Sequence, residues 1–119
     1  MRRRGWWPVI VRNVTRGLVL GYKVSGAETF RLRLLGLMFR SELPQGEGLL
    51  IRPCRAVHTH FMRFPIDVLF LDGENRVVHV IPAMSPWKLS PTVRAADAVL
   101  ELPAGTAGAT AAGDQIEFL

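Results

Sequence analysis

Eight prolines and eleven glycines are spread evenly along this chain of 119 residues. That spacing excludes long helices and coiled coils, because proline removes a backbone donor and glycine weakens helical order. What lies between the punctuation is a series of short apolar segments. Residues 8–14 and 18–24 read as strands, with Gly17 as a turn and Gly21 as a bulge. Residues 49–51, 57–64, 76–81, 98–102 and 115–119 read as extended in the same way. Residues 66–71 are almost continuously apolar, the pattern of a strand covered on both faces, and Asp72-Gly-Glu-Asn75 after them is a hairpin loop. Residues 82–91 carry three prolines and Trp87 and are expected to be an ordered irregular loop, and residues 106–112 a single helical turn.

One helix stands out. Ser25-Gly-Ala-Glu28 has the form of a capping box, and Phe30, Leu34, Leu37 and Met38 follow at helical spacing. Pro44 stops it, so a helix is expected over about 26–41. Seven to eight short strands and one helix predict a mainly β (α+β) fold, a compact β-barrel or sandwich with the helix packed on one side. The length predicts a single domain, 1–119.

Apolar residues make up 49% of the chain and charged residues 21%, which is enough apolar surface to offset ordering entropy and excludes intrinsic disorder. No apolar run reaches the roughly 18–20 residues that span a bilayer. Residues 1–60 hold 11 Lys/Arg and 3 Asp/Glu (+8), and residues 61–119 hold 4 and 7 (−3). Such asymmetry raises nucleic acid or an anionic membrane as a partner; solvation by arginine is the favoured reading, since no nucleic-acid motif accompanies the charge. The opening Met1-Arg-Arg-Arg-Gly-Trp-Trp resembles an export signal, but Arg12, Asn13 and Arg16 interrupt the apolar stretch that must follow. With Cys54 as the single cysteine, no internal disulfide is possible, and a cytoplasmic chain is expected.

Reactive side chains concentrate in Pro53-Cys-Arg-Ala-Val-His-Thr-His-Phe-Met-Arg-Phe-Pro-Ile-Asp67. If this stretch is extended, Cys54, His58, His60, Met62 and Phe64 share one face. Cys54, His58 and His60 are then candidate soft-metal ligands. Second neighbours on one strand are about 6.6 Å apart, too far to converge on one ion, so no metal and no cofactor are expected. Asp67 interrupts the most apolar strand. A buried carboxylate needs a partner, and Arg63, Arg40 or a histidine is the expected companion, unless a backbone cap serves instead. No nucleophile elbow, P-loop or dinucleotide fingerprint is present.

Several of these pieces together resemble a known family. Gly36-Leu-Met-Phe-Arg40, Gly48-Leu-Leu, Pro53-Cys-Arg-Ala-Val-His-Thr-His, Met62-Arg-Phe-Pro-Ile-Asp67, Val68-Leu-Phe-Leu-Asp72, and Val99-Leu-Glu-Leu-Pro-Ala-Gly105 with Gly113-Asp114 occur in the order shown by domain-of-unknown-function family 192. The resemblance implies a compact, mainly β fold and no particular reaction. Its recurrent polar positions match Arg40, His58, Thr59, Met62, Arg63, Asp67 and Asp114 here. Two departures are visible. Many relatives carry an export signal, and many have a Phe-x-Met-Lys-Asn-Thr segment where this chain has His60-Phe-Met-Arg-Phe.

The expected function is a non-catalytic domain binding a small molecule or a protein. Its pocket is expected around Met62, Phe64 and Trp87, with Arg40, His58, Arg63 and Asp67 as polar contacts. A small metal-dependent or His/Asp-based enzyme is one alternative. An accessory protein binding nucleic acid or anionic membrane through its basic half is another. Pairing of two copies through an edge strand is also open.

Overall fold

The computed structural model describes residues 7–27 and 41–119. Seven strands form one sheet: β1 (Val9–Asn13), β2 (Leu18–Ala27), β3 (Glu47–Ile51), β4 (Ile66–Leu71), β5 (Val77–Met84), β6 (Ala98–Pro103) and β7 (Ile116–Phe118). Their order is β5-β4-β6-β3-β2-β1-β7. All neighbouring pairs are antiparallel except β2 and β3. The parallel pairing means that the chain crosses over between β2 and β3.

The sheet curls into a half-barrel, and at one end its two edge strands meet. Arg76 bridges Gln115, the Val77 amide donates to the Asp114 carbonyl, and the Gly113 amide donates to the Val77 carbonyl. The enclosed core draws on every strand, with Val11, Leu20, Leu50, Leu69, Val77, Leu100 and Ile116 all buried. Full burial of such side chains contributes about 1.5–3 kcal/mol each. A second apolar cluster lies on the other face of the sheet, where Ile66, Val68, Phe70 and Val99 are covered by Leu43, Val57, Met62 and Ala96. Every residue of β4 is therefore buried, as its nearly continuous apolar run predicts.

The helix expected over 26–41 falls almost wholly outside the described residues, and its start is corrected. Ser25, Gly26 and Ala27 end β2 and pair with Leu49, Leu50 and Ile51 of β3. The Trp7 ring lies over Gly26 so closely that a Cβ there would sit 2.4 Å from it, which explains a glycine in mid-strand. Residues 106–112 form turns rather than a helical turn. Residues 57–64 are not a strand either: only His58 pairs, as an isolated bridge to Leu89.

A buried polar knot ties the β1–β2 turn to the chain before β7. The Asp114 carboxylate accepts from Asn13 Nδ2 at 3.0 Å, Arg16 Nε at 2.5 Å and the Ala111 amide at 3.0 Å. The bond from Arg16, followed by that from Asn13, lowers its pKa from 3.8 to about 2. A depressed carboxylate pKa contributes stability above its unfolded value and loses it as pH falls. Stability is thus expected to drop as pH falls from about 4 towards 2, and less steeply in Asp114→Asn, as melting midpoints across that range will read.

Candidate functional site

Two irregular segments, residues 52–65 and 85–97, run antiparallel over the outer face of β4 and β6. Backbone bonds join them along their length: the Val93 amide to the Arg55 carbonyl, the Ser90 amide to the Val57 carbonyl, and the Thr59 amide to the Lys88 carbonyl. Val57, Met62 and Ala96 of these segments point inward and supply the cover described above.

Thr59 is the hub of this layer and is fully buried. Its hydroxyl donates to the Ser85 carbonyl at 2.6 Å and accepts from the Lys88 amide at 2.9 Å. Its own carbonyl accepts from the amides of Trp87 at 2.9 Å and Met62 at 3.2 Å. Thr59→Val keeps the shape and removes the two hydroxyl bonds. About 1–2 kcal/mol of stability is expected to be lost, read by urea unfolding.

Around this hub the chain presents rings to solvent. Phe61 and Trp87 have ring centroids 4.8 Å apart, His60 meets Trp87 edge-on at 5.5 Å, and His58 lies 5.0 Å from His60. The cluster continues to Leu89 through its bridge to His58. Phe61 is 48% exposed, Trp87 58% and Leu89 75%. Phe61 and Trp87 both have positive φ, 66° and 63°. Bulky side chains rarely adopt that region, and here the bonds to Thr59 hold it.

The expected site residues are divided by the structure. His58, Arg63 and Trp87 reach the surface of this layer, whereas Met62 is buried beneath it and Phe64 is half-buried against the outer cluster. Arg40 lies outside the described residues. Asp67 is buried on the strand face that carries Leu69 and Leu71, away from the exposed rings. Its companions are backbone amides, those of Ala83 and Ala107, both at 2.8 Å. The expected guanidinium or imidazole partner is corrected accordingly among the described residues. The cause is a bulge in β5. Ile66 faces Met84 while Val68 faces Ile81, leaving two residues, Pro82 and Ala83, opposite the single Asp67. Ala83, at φ 46°, turns its amide towards the carboxylate. Asp67 thereby joins the end of β5 to the turn after β6.

His58 and His60 lie together, but Cys54 does not join them in a three-ligand group. The Cys54 thiol donates to the Ala56 carbonyl at 3.1 Å, and His58 Nδ1 accepts from the His60 amide at 3.2 Å. No group of three or more metal-ligating side chains converges among the described residues. Cys54 instead lines an open cleft of about 440 Å³ with Pro53, Arg55, Ala96 and Asp97. Asp97 at its rim holds Arg52 at 2.5 Å.

Two residues were not anticipated. Phe61 carries the ring cluster together with Trp87. Glu101, buried in β6 opposite Leu49 and Val68, has its pKa raised from 4.5 to about 7 by burial. The sequence signal for Glu101 is the same as for Asp67, a carboxylate inside an apolar strand.

These features define a small β half-barrel protein with an irregular outer layer that presents aromatic side chains. The chain belongs to the DUF192 family, described as "Uncharacterized ACR", whose profile matches residues 11–118. A UPF0127 protein of Pyrococcus furiosus is 34% identical over 113 residues, covering 89% of this chain and 95% of the relative. A UPF0127 protein of Pyrococcus abyssi is 31% identical over 117 residues, covering 92% and 97%. Among solved structures, a protein of unknown function from Novosphingobium aromaticivorans superposes with TM-score 0.79 at 28% identity, over 92% of this chain and 83% of that one. A protein from Sinorhizobium meliloti superposes with TM-score 0.75 at 24% identity, over 92% and 91%, a likeness of fold alone.

Proposed function

We propose that this chain is a non-catalytic binding domain whose partner docks on the ring cluster of Phe61, Trp87, His60 and His58. One observation carries the reading: two large aromatic side chains are exposed and both held at positive φ. That backbone region costs a bulky residue on the order of 1–3 kcal/mol, and side chains left in water recover little of it by burial. Such an arrangement favours a use outside folding. Arg63 flanks the rings as a polar contact, and Met62 supports them from below. Asp67 acts at a distance, by holding the end of β5 from which residues 85–89 emerge. No comparable observation favours an enzyme, because the candidate ligands and bases do not converge. A single thiol suits a reducing compartment, so a cytoplasmic site of action is part of the proposal.

The test is a thermal-shift panel of mononucleotides, sugars, inositol phosphates and short peptides, run on wild type and on Trp87→Ser. A ligand that prefers the native state raises the melting midpoint. The expected result is a shift in wild type that disappears in the variant while the variant's own midpoint is unchanged. A shift that survives the substitution would place the binding elsewhere and overturn the reading.

A further inference from the structure

The chemistry surrounding the exposed rings narrows the partner. The outer layer, residues 52–65 and 85–97, contains five cations, Arg52, Arg55, Arg63, Lys88 and Arg94, and one acid, Asp97. Arg52 is held by Asp97, and Arg55 donates to the Ala96 carbonyl. Arg63, Lys88 and Arg94 are exposed. The free positive charge of this face favours an anionic partner. The apolar part of the patch selects among anions. Leu89 is the most exposed of the large apolar residues among those described, and an aliphatic side chain adds nothing to base stacking. Trp87 is walled by Phe61, tilted at 57°, and by the edge of His60 at 80°, so the rings are not arrayed as parallel stacking platforms. A Trp, a Phe and a Leu exposed together among cations match an interface where apolar side chains enter acyl chains and cations meet phosphates.

We propose that Phe61, Trp87 and Leu89 form an insertion tip, flanked by Arg63 and Lys88, that docks this protein on a negatively charged lipid bilayer. The proposal rests on the reading of the ring cluster as a docking face and names its partner. Thr59 makes the tip rigid, so little ordering is required on contact.

Co-sedimentation of the full chain with phosphatidylcholine vesicles, and with phosphatidylcholine–phosphatidylglycerol vesicles, tests it directly. Binding to the anionic vesicles is expected to be at least about tenfold stronger and to weaken with added salt. Leu89→Ser and Lys88→Glu are each expected to lower it by about tenfold, with melting midpoints unchanged. A single-stranded oligonucleotide and a polyglutamate peptide are run as parallel probes. Absence of vesicle binding, or vesicle binding untouched by both substitutions, overturns the lipid proposal. If the oligonucleotide or peptide then binds in a manner that Trp87→Ser abolishes, the docking face stands with another partner. If no probe responds to Trp87→Ser, the docking face falls as well.

Discussion

Asp67→Ala is expected to destabilise the protein by about 3–4 kcal/mol, because it strips the acceptors from two amides at once. The Ala107 amide is buried and the Ala83 amide partly so, and each donates to a separate carboxylate oxygen at 2.8 Å. For a domain with a total stability of about 5–15 kcal/mol, that is a large share. The β5 bulge and the turn after β6 are held to each other through this one side chain, so both are expected to loosen. Asp67→Asn retains one acceptor and presents a donor to the other amide, so an intermediate loss is expected. Urea unfolding of the three proteins reads the order directly. A side chain placed for ligand contact rather than for folding would leave stability unchanged or improved on removal.

Glu101→Gln is expected to act in the opposite direction, and only at high pH. Burial raises the Glu101 pKa from 4.5 to about 7. A carboxyl group whose folded pKa is raised contributes stability that is complete below its unfolded value and lost as pH rises through the folded one. Wild type is therefore expected to weaken between about pH 4.5 and 7, and the neutral glutamine to remove that dependence. By pH 8 the variant is expected to be the more stable by about 3 kcal/mol, with the two alike near pH 4. Parallel stability curves across this range would show that the burial of Glu101 carries no such cost.

Most of the strands were legible because burial imposes a pattern. The run from Ile66 to Leu71 can only be covered on both faces, and the Asp72 turn that follows is explicit: its carboxylate accepts from the Glu74 and Arg76 amides at 2.9 Å. The errors arise where a distant residue decides local structure. Ser25-Gly-Ala-Glu28 has a capping-box spelling, yet Gly26 is extended beneath the Trp7 ring. Residues 57–64 alternate like a strand, yet the Thr59 side chain turns inward to bind residues 85 and 88, and Phe61 takes a positive φ. The burial of Asp67 was readable, but its backbone partners depend on a β4–β5 register that no local pattern encodes. The ring cluster was half legible. Trp87 stands out in a proline-rich loop, whereas the exposure of Phe61 follows from that same unpatterned turn.

In the proposed reading the exposed rings serve a partner and not the fold. Thermal unfolding of the double variant Phe61→Ser/Trp87→Ser tests it most directly. A melting midpoint equal to that of wild type or slightly above it is expected, since half-exposed side chains at positive φ lend the native state little. A fall comparable to that of Asp67→Ala would show instead that the cluster holds the molecule together.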